Sequence, residues 1–413
     1  MIKYPDYKDC IAGIPNSILK SRGLETKRST LDLLDEHLEG KDYENIVVIL
    51  LDGMGKNIMD ANLPRNGFFN SHLAGTLSST FPPTTVAATT SILSGMEPCE
   101  HGWLGWDCYY PQIDKNVTVF LNKETGTDKQ AENYNVASRY CGYESAVDRL
   151  VKSGRQGYMA TPFAEPFPDS FEKICDRIEK LCGQPGKKYI YSYWSEPDHT
   201  MHEKGCFCEE TKELLRKLER QVEELCKRLG EQKIFEKEEI SNKELPDKVF
   251  QVEDKAVAVN FEKEKCELKA NEASHKKRTL VIVTADHGHI DTKGVSLTDY
   301  PGICECLSRL PSIEPRALNF FIKPGMEEQF VNEFNRKFSE KFMLLTKKEV
   351  LEKKLFGEGA EHPAFRDMLG DYLAVAIGDL CIYNTRKEAD FFIGSHAGLT
   401  EEEMTIPLIL IEC

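Results

Sequence analysis

Two runs of aliphatic and β-branched residues, Asn45-Ile-Val-Val-Ile-Leu-Leu51 and Thr279-Leu-Val-Ile-Val-Thr284, constrain this chain more than any other feature. Each has the length of a strand and lacks the apolar–polar alternation of a strand with one wet face. A strand buried on both faces belongs inside a parallel sheet covered by helices. Lys188-Tyr-Ile-Tyr-Ser-Tyr193 is a weaker run of the same kind. The predicted fold class is therefore α/β, a mostly parallel central sheet with helices on both faces. In such sheets ligands bind beyond the carboxyl ends of the strands, and acidic or His side chains follow each of these three runs within a few residues.

The rest of the chain reads around that sheet. Ser29–Gly40 has the pattern of a short helix, with Ser29 or Thr30 as N-cap and Gly40 as a left-handed stop. Leu214, Leu218, Val222, Leu225 and Leu229 mark one face of an amphipathic helix closed by Gly230. Between 231 and 277 the composition shifts to Lys and Glu, which predicts a charged surface insertion. Strand and helix patterns alternate over Ala317–Ile322, Met326–Lys341, Phe342–Leu345 and Lys348–Leu355, so an inserted α+β subdomain is expected over 307–390. Met404–Ile411 reads as a last core strand. The whole of 1–413 is taken as one catalytic domain carrying these insertions.

Composition narrows the partners. The chain has 53 basic and 68 acidic residues, a formal charge of −15, which argues against a nucleic-acid polymer as partner. No apolar run approaches the roughly 20 residues of a membrane span, and Met1–Asp9 lacks the pattern of a secretory signal. The 14 cysteines show no zinc-ribbon spacing. Reduced thiols in a cytoplasmic protein, with no membrane partner, are the expectation.

Four segments carry metal-binding side chains: Leu-Asp-Gly-Met-Gly at 51–55, Glu-Pro-Asp-His-Thr-Met-His at 196–202, Thr-Ala-Asp-His-Gly-His at 284–289 and Gly-Ser-His-Ala-Gly at 394–398. They supply Asp52, Asp198, His202, Asp286, His287 and His396. The four-residue gap between Asp198 and His202 places both on one side of a helical turn. Anionic oxygen and neutral imidazole suit divalent metals that activate phosphate, zinc best, with manganese also accepted. His199 and His289, beside these residues, are weaker candidates, for a supporting rather than a ligand role.

A fifth segment supplies hydroxyls: Ser79-Thr-Phe-Pro-Pro-Thr-Thr-Val-Ala-Ala-Thr-Thr-Ser-Ile-Leu-Ser-Gly95. Pro82 and Pro83 suit the first turn of a helix. On that reading Thr80 lies just ahead of the helix, where free N–H groups seat a phosphate, and Thr84 and Thr85 fall inside the first turn. Thr80 is the expected nucleophile, in contact with a metal. Trp103, Trp106 and Asp107, shortly after this helix, are the expected substrate contacts.

As an ordered set, these motifs together with Ser94-Gly95 and His101-Gly102 resemble the alkaline phosphatase superfamily, and within it the nucleotide pyrophosphatase/phosphodiesterase branch. The resemblance covers about 45–105, 188–229, 279–291 and 394 onward. It implies one zinc held by Asp198, His202 and His396. It implies a second held by Asp52, Asp286, His287 and the nucleophilic Thr, which in the family pattern is the one before the aromatic-Pro pair, Thr80 here. In-line attack would give a phosphothreonine that is then hydrolysed. The expected activity is that of a phosphodiesterase or nucleotide pyrophosphatase acting on a small phosphorylated substrate such as a nucleotide. The branch carries an Asn five residues after its His-Gly histidine, where this chain has Trp106 followed by Asp107. That departure leaves a phosphomonoesterase, a phosphonate hydrolase or a metal-dependent phosphomutase as alternatives on the same scaffold, and a non-catalytic metal-binding protein as the reading from another class.

Overall fold

The computed structural model describes residues 1–26, 28–232 and 278–413. The expected charged insertion, 231–277, lies outside them from 233 onward. A six-stranded sheet forms the centre, in the order Leu73–Ser78, Thr405–Glu412, Thr279–Thr284, Asn45–Leu51, Lys188–Trp194 and Gln156–Ala160. The strands from Thr279–Thr284 to Gln156–Ala160 pair in parallel. Thr405–Glu412 runs antiparallel to both of its neighbours. Every residue of Asn45–Leu51 and of Thr279–Thr284 is buried, as unalternating runs demand. The sheet is thus mostly parallel, as its apolar runs predict.

A second sheet packs beside the first. Its seven strands pair antiparallel in the order Phe342–Thr346, Tyr372–Ala376, Ala317–Phe320, Ser312–Glu314, Asp107–Tyr110, Lys115–Thr118 and Lys123–Glu124. It draws the 107–124 segment into one layer with residues of the 307–390 stretch, a pairing that local periodicity cannot reveal. Phe330, Phe334 and Phe338 bury one face of the Glu327–Phe338 helix against it.

Local details differ from expectation where tertiary contacts compete. The helix at Asp32–Leu38 starts after an uncapped Leu31: the Thr30 hydroxyl donates to Asp35 at 2.7 Å, and no side chain accepts from the N–H groups of the helix start. The long helix spans Glu209–Glu231, so Gly230 lies within it, and Leu215 takes the buried position next to a half-buried Leu214. Arg316 and Glu403, both fully buried, form a two-pronged ion pair at 2.7 Å that ties the second sheet to the last turn before the Thr405–Glu412 strand. Nη1 and Nη2 of Arg316 also donate to the carbonyls of Leu380 and Gly378, so all three of its nitrogens are hydrogen-bonded. Among the described residues no helix is long and apolar enough to cross a membrane.

Candidate active site

The carboxyl ends of the central strands converge on one cleft. Asp52 directly follows the strand Asn45–Leu51, Asp286 and His287 follow Thr279–Thr284, and Asp198 and His202 share a face of the Asp198–Lys204 helix beyond Lys188–Trp194. His396 follows the short strand Gly394–Ser395. Glycines let the loops meet: a Cβ on Gly55 would collide with the backbone of Gly288, and one on Gly288 with the carbonyl of Glu402.

The structure brings all six of these side chains together and adds His289. The ligand atoms of Asp198, His202, His289 and His396 lie within 4.8 Å of one another, as do those of Asp52, Asp198 and His287. Asp286 Oδ2 is 3.5 Å from His287 Nε2. Nε2 of His202, His289 and His396 sits 3.4, 3.3 and 3.7 Å from Asp198 oxygens. Ligand atoms around one tetrahedral zinc, with bonds of about 2.1 Å, stand about 3.4 Å apart. Asp198 Oδ1, Asp286 Oδ2 and His289 Nε2 are buried without a hydrogen-bond partner among the described residues. Such orphaned groups are costly unless a cation takes them up.

The imidazoles are oriented for that role. Nδ1 of His202, His287 and His396 faces the carbonyl of Gly394, Gly288 and Pro83 at 2.9, 2.9 and 3.0 Å. His289 Nδ1 is 3.3 Å from Cys206 Sγ. The three carbonyl contacts place a proton on Nδ1 of His202, His287 and His396 and turn Nε2 of each into the cleft. Burial pushes the Asp52 carboxyl well above the usual carboxylate range, and the Asp198 charge adds to that. Burial pushes His289 down to about 4. Burial also opposes the charged form of His202, but the Asp198 carboxylate outweighs it and holds that imidazole up at about 9.

The hydroxyl that reaches this cluster is Thr85, not Thr80. Thr85 Oγ1 lies 3.4 Å from Asp52 Oδ1 and 3.3 Å from His287 Nε2. Thr80 is fully buried, and its hydroxyl faces the carbonyl of Pro82 at 3.4 Å. The expectation for Thr80 rested on a helix beginning at the two prolines. The helix instead runs Thr85–Ser94, with Thr84 as its extended N-cap. A residue before proline is disfavoured in the helical region, so Pro83 keeps Pro82 out of a helix and the start moves downstream. Thr85 thereby occupies the first helical position, where backbone N–H groups lack intrahelical partners.

The cleft encloses about 330 Å³ and is lined by Thr85, Asp198, His202 and His396 from the strand-end cluster and by Trp106, Asp107 and Glu314 from the second sheet and its flank. Trp103 does not reach it: its ring packs in the second core and its indole N–H donates to the Cys141 carbonyl at 2.7 Å. Asp107 lines the cleft, but one carboxylate oxygen is held by the hydroxyls of Thr118 and Thr125 at 2.6 and 2.7 Å. Glu314, unmarked by any motif, accepts from the Thr84 hydroxyl at 2.5 Å and the Trp106 N–H at 2.8 Å. Burial pushes its carboxyl up to about 7.

Comparison with known proteins gives a consistent picture. A family model described as type I phosphodiesterase / nucleotide pyrophosphatase matches residues 46–240. Murine ectonucleotide pyrophosphatase/phosphodiesterase 5 shares the fold with a TM-score of 0.61 at 16% identity, over 88% of this chain and 87% of its own. An inactive variant of that protein in complex with AMP gives the same score and identity, over 89% and 87%. Phosphonoacetate hydrolase from Sinorhizobium meliloti, in complex with phosphonoformate, has a TM-score of 0.57 at 14% identity, over 90% of this chain and 92% of its own. No curated protein sequence matches significantly.

Proposed function

We propose that this chain is a member of the alkaline phosphatase superfamily, on its nucleotide pyrophosphatase/phosphodiesterase-like branch, and that it hydrolyses phosphodiester or pyrophosphate bonds with Thr85 as covalent nucleophile. The family model over 46–240 and the shared fold support the reading. The observation that carries this reading is the Thr85 hydroxyl at the mouth of its helix, within 3.4 Å of Asp52 and His287. Asp198, His202 and His396, with His289 as a further donor, would hold one divalent cation. Asp52, Asp286, His287 and Thr85 would hold the other. Zinc suits this nitrogen and carboxylate set, and two such ions would polarise the phosphoryl oxygens and favour the threonine alkoxide.

The chain's own groups do the rest. The helix at Thr85–Ser94 presents its N-terminal N–H groups to a phosphate. Thr85 Oγ1 loses its proton and bonds to phosphorus while the bond to the leaving oxygen breaks. Water then cleaves the phosphothreonine ester and returns the hydroxyl. Tyr193 donates to Asp52 Oδ2 at 2.5 Å and fixes that carboxylate. A phosphonate with a second anionic group fits less well, because among the described residues no Lys or Arg lines the cleft to receive it.

The test is turnover of bis-p-nitrophenyl phosphate by zinc-loaded protein and its Thr85→Ala and Thr80→Ala variants. Loss in the first and retention in the second supports the reading. Equal activity of Thr85→Ala and parent removes it.

A further inference from the structure

His289 lies past the strand-end pair Asp286 and His287, yet three contacts hold its backbone and ring in place. Asn57 Nδ2 donates to its carbonyl at 2.8 Å. Gly394 passes against the edge of the imidazole, where a Cβ would lie 2.7 Å from Cε1. Cys206, fully buried just after the Asp198–Lys204 helix, puts Sγ 3.3 Å from Nδ1.

The thiol is itself fixed. Asp291 Oδ1 accepts from the Cys206 N–H at 2.6 Å, and the same carboxylate is hydrogen-bonded to the thiol. A thiol has one proton to give, and a carboxylate only accepts. With that proton on Asp291, the sulfur is left to accept from Nδ1–H of His289. A neutral imidazole protonated on Nδ1 has a bare Nε2.

The surroundings of Nε2 agree. Nε2 of His289 and Oδ1 of Asp198 are 3.3 Å apart, yet both are buried without a hydrogen-bond partner among the described residues. Two such atoms with no bond between them fit two donors facing one cation. The ring centroids of His202, His289 and His396 stand 4.7, 5.2 and 5.4 Å from one another. Imidazoles bound through Nε2 at about 2.1 Å to one tetrahedral ion have centroids about 5 Å apart. His287 does not share this geometry: its ring is 6.4 Å from His289 and stacks on His396 at 3.7 Å.

We propose that Cys206 is a positioning residue for the cation at Asp198: anchored on Asp291, its thiol fixes His289 as a fourth protein donor beside Asp198, His202 and His396. The inference rests on the metal-site reading above and adds a residue that touches neither cation nor substrate. Three imidazoles and a carboxylate complete a tetrahedral set from the protein alone. The cation at Asp198 is therefore held more tightly than the one at Asp52.

Zinc titration of the metal-stripped protein against a chromophoric chelator tests this without any ester. Two zinc ions of unequal affinity are expected in the parent. Cys206→Ala should weaken the tighter one by about tenfold or more. Cys206→Ser, which keeps a donor and lone pairs, should recover part of the loss. Cobalt bound in the tighter position should change its visible spectrum in Cys206→Ala. In parent protein labelled with nitrogen-15 histidine, one equivalent of zinc should shift Nε2 of three histidines. His289, assigned through His289→Gln, should be one of them and carry its proton on Nδ1. An Nε2–H on His289 in the zinc-loaded parent would overturn the proposal, and so would parent affinity and cobalt spectrum in Cys206→Ala. Protein that takes up no divalent cation would remove the metal-site reading and this inference together. Two bound zinc ions insensitive to Cys206→Ala would remove this inference alone.

Discussion

The two walls of the cleft are built from different sheets and use their polar groups differently. On the wall formed by the central sheet, carboxylates and imidazoles stand beyond strand ends, and Asp198, Asp286 and His289 each keep one buried atom without a hydrogen-bond partner among the described residues. On the wall formed by the antiparallel sheet, Asp107 and Glu314 are already hydrogen-bonded to their own neighbours. On the proposed reading the first serves cations and chemistry and the second recognition, with Glu314 joined to the first through the Thr84 hydroxyl that precedes Thr85. Such a division of labour lets one scaffold serve several leaving groups.

The sharpest way to break this comparison is to remove the chemistry from the first wall. Thr85→Ala is expected to lower kcat by about 10⁴-fold or more on any ester, as loss of a covalent nucleophile does. Thr80→Ala, in the core, should leave the rate within about threefold and cost about 1 kcal/mol of stability. Steady-state kinetics and urea unfolding of the two variants check both statements.

Next in size is the link between the walls. Glu403→Gln leaves Arg316 buried without its counter-charge and should cost about 3–5 kcal/mol, read by chemical denaturation. The Glu403 carboxyl is held below its ordinary value of 4.5, the Arg316 charge overcoming the effect of burial. A carboxylate with a depressed native pKa contributes stability above its unfolded pKa and loses it as pH falls through the folded one. The parent's advantage over Glu403→Gln should therefore be flat near neutrality and shrink only below about pH 4.5.

A third, smaller effect separates ligand from bystander at His289. His289→Gln is expected to weaken zinc binding by about 10–100-fold, measured by competition with a chromophoric chelator. An unchanged affinity would show that His289 neither holds nor supports the metal. The smallest effect belongs to the recognition wall. Trp106, 42% exposed at the cleft, should on replacement by Ala raise KM severalfold, by about 1 kcal/mol, with kcat nearly unchanged. A matching loss in kcat would blur the distinction between the walls.

What was legible in the sequence follows the same division. Asp52, Asp286 and His287 could be read because each lies within three positions of the end of a strand whose burial is written as an unbroken apolar run. Asp198 and His202 could be read from helical spacing. Thr85 was hidden by the Pro82-Pro83 pair, since proline both opens helices and forbids the residue before it from joining one. His289 was read only as a neighbour because it lies two positions beyond the strand-end residues. Glu314 had no local signal: its partner Trp106 is 208 positions away, and only the pairing of Ser312–Glu314 with Asp107–Tyr110 brings them together. Local pattern reveals strand ends, whereas long-range antiparallel pairing builds the opposite wall.

The central claim is that the hydroxyl at the helix mouth forms the covalent bond to phosphorus. Acid-quenched turnover of bis-p-nitrophenyl phosphate, followed by fragment-ion mass spectrometry of the peptide containing both threonines, tests it directly. The account predicts a phosphoryl-ester adduct on Thr85 and none on Thr80. An adduct on Thr80, or rapid turnover with neither residue ever modified, would contradict it.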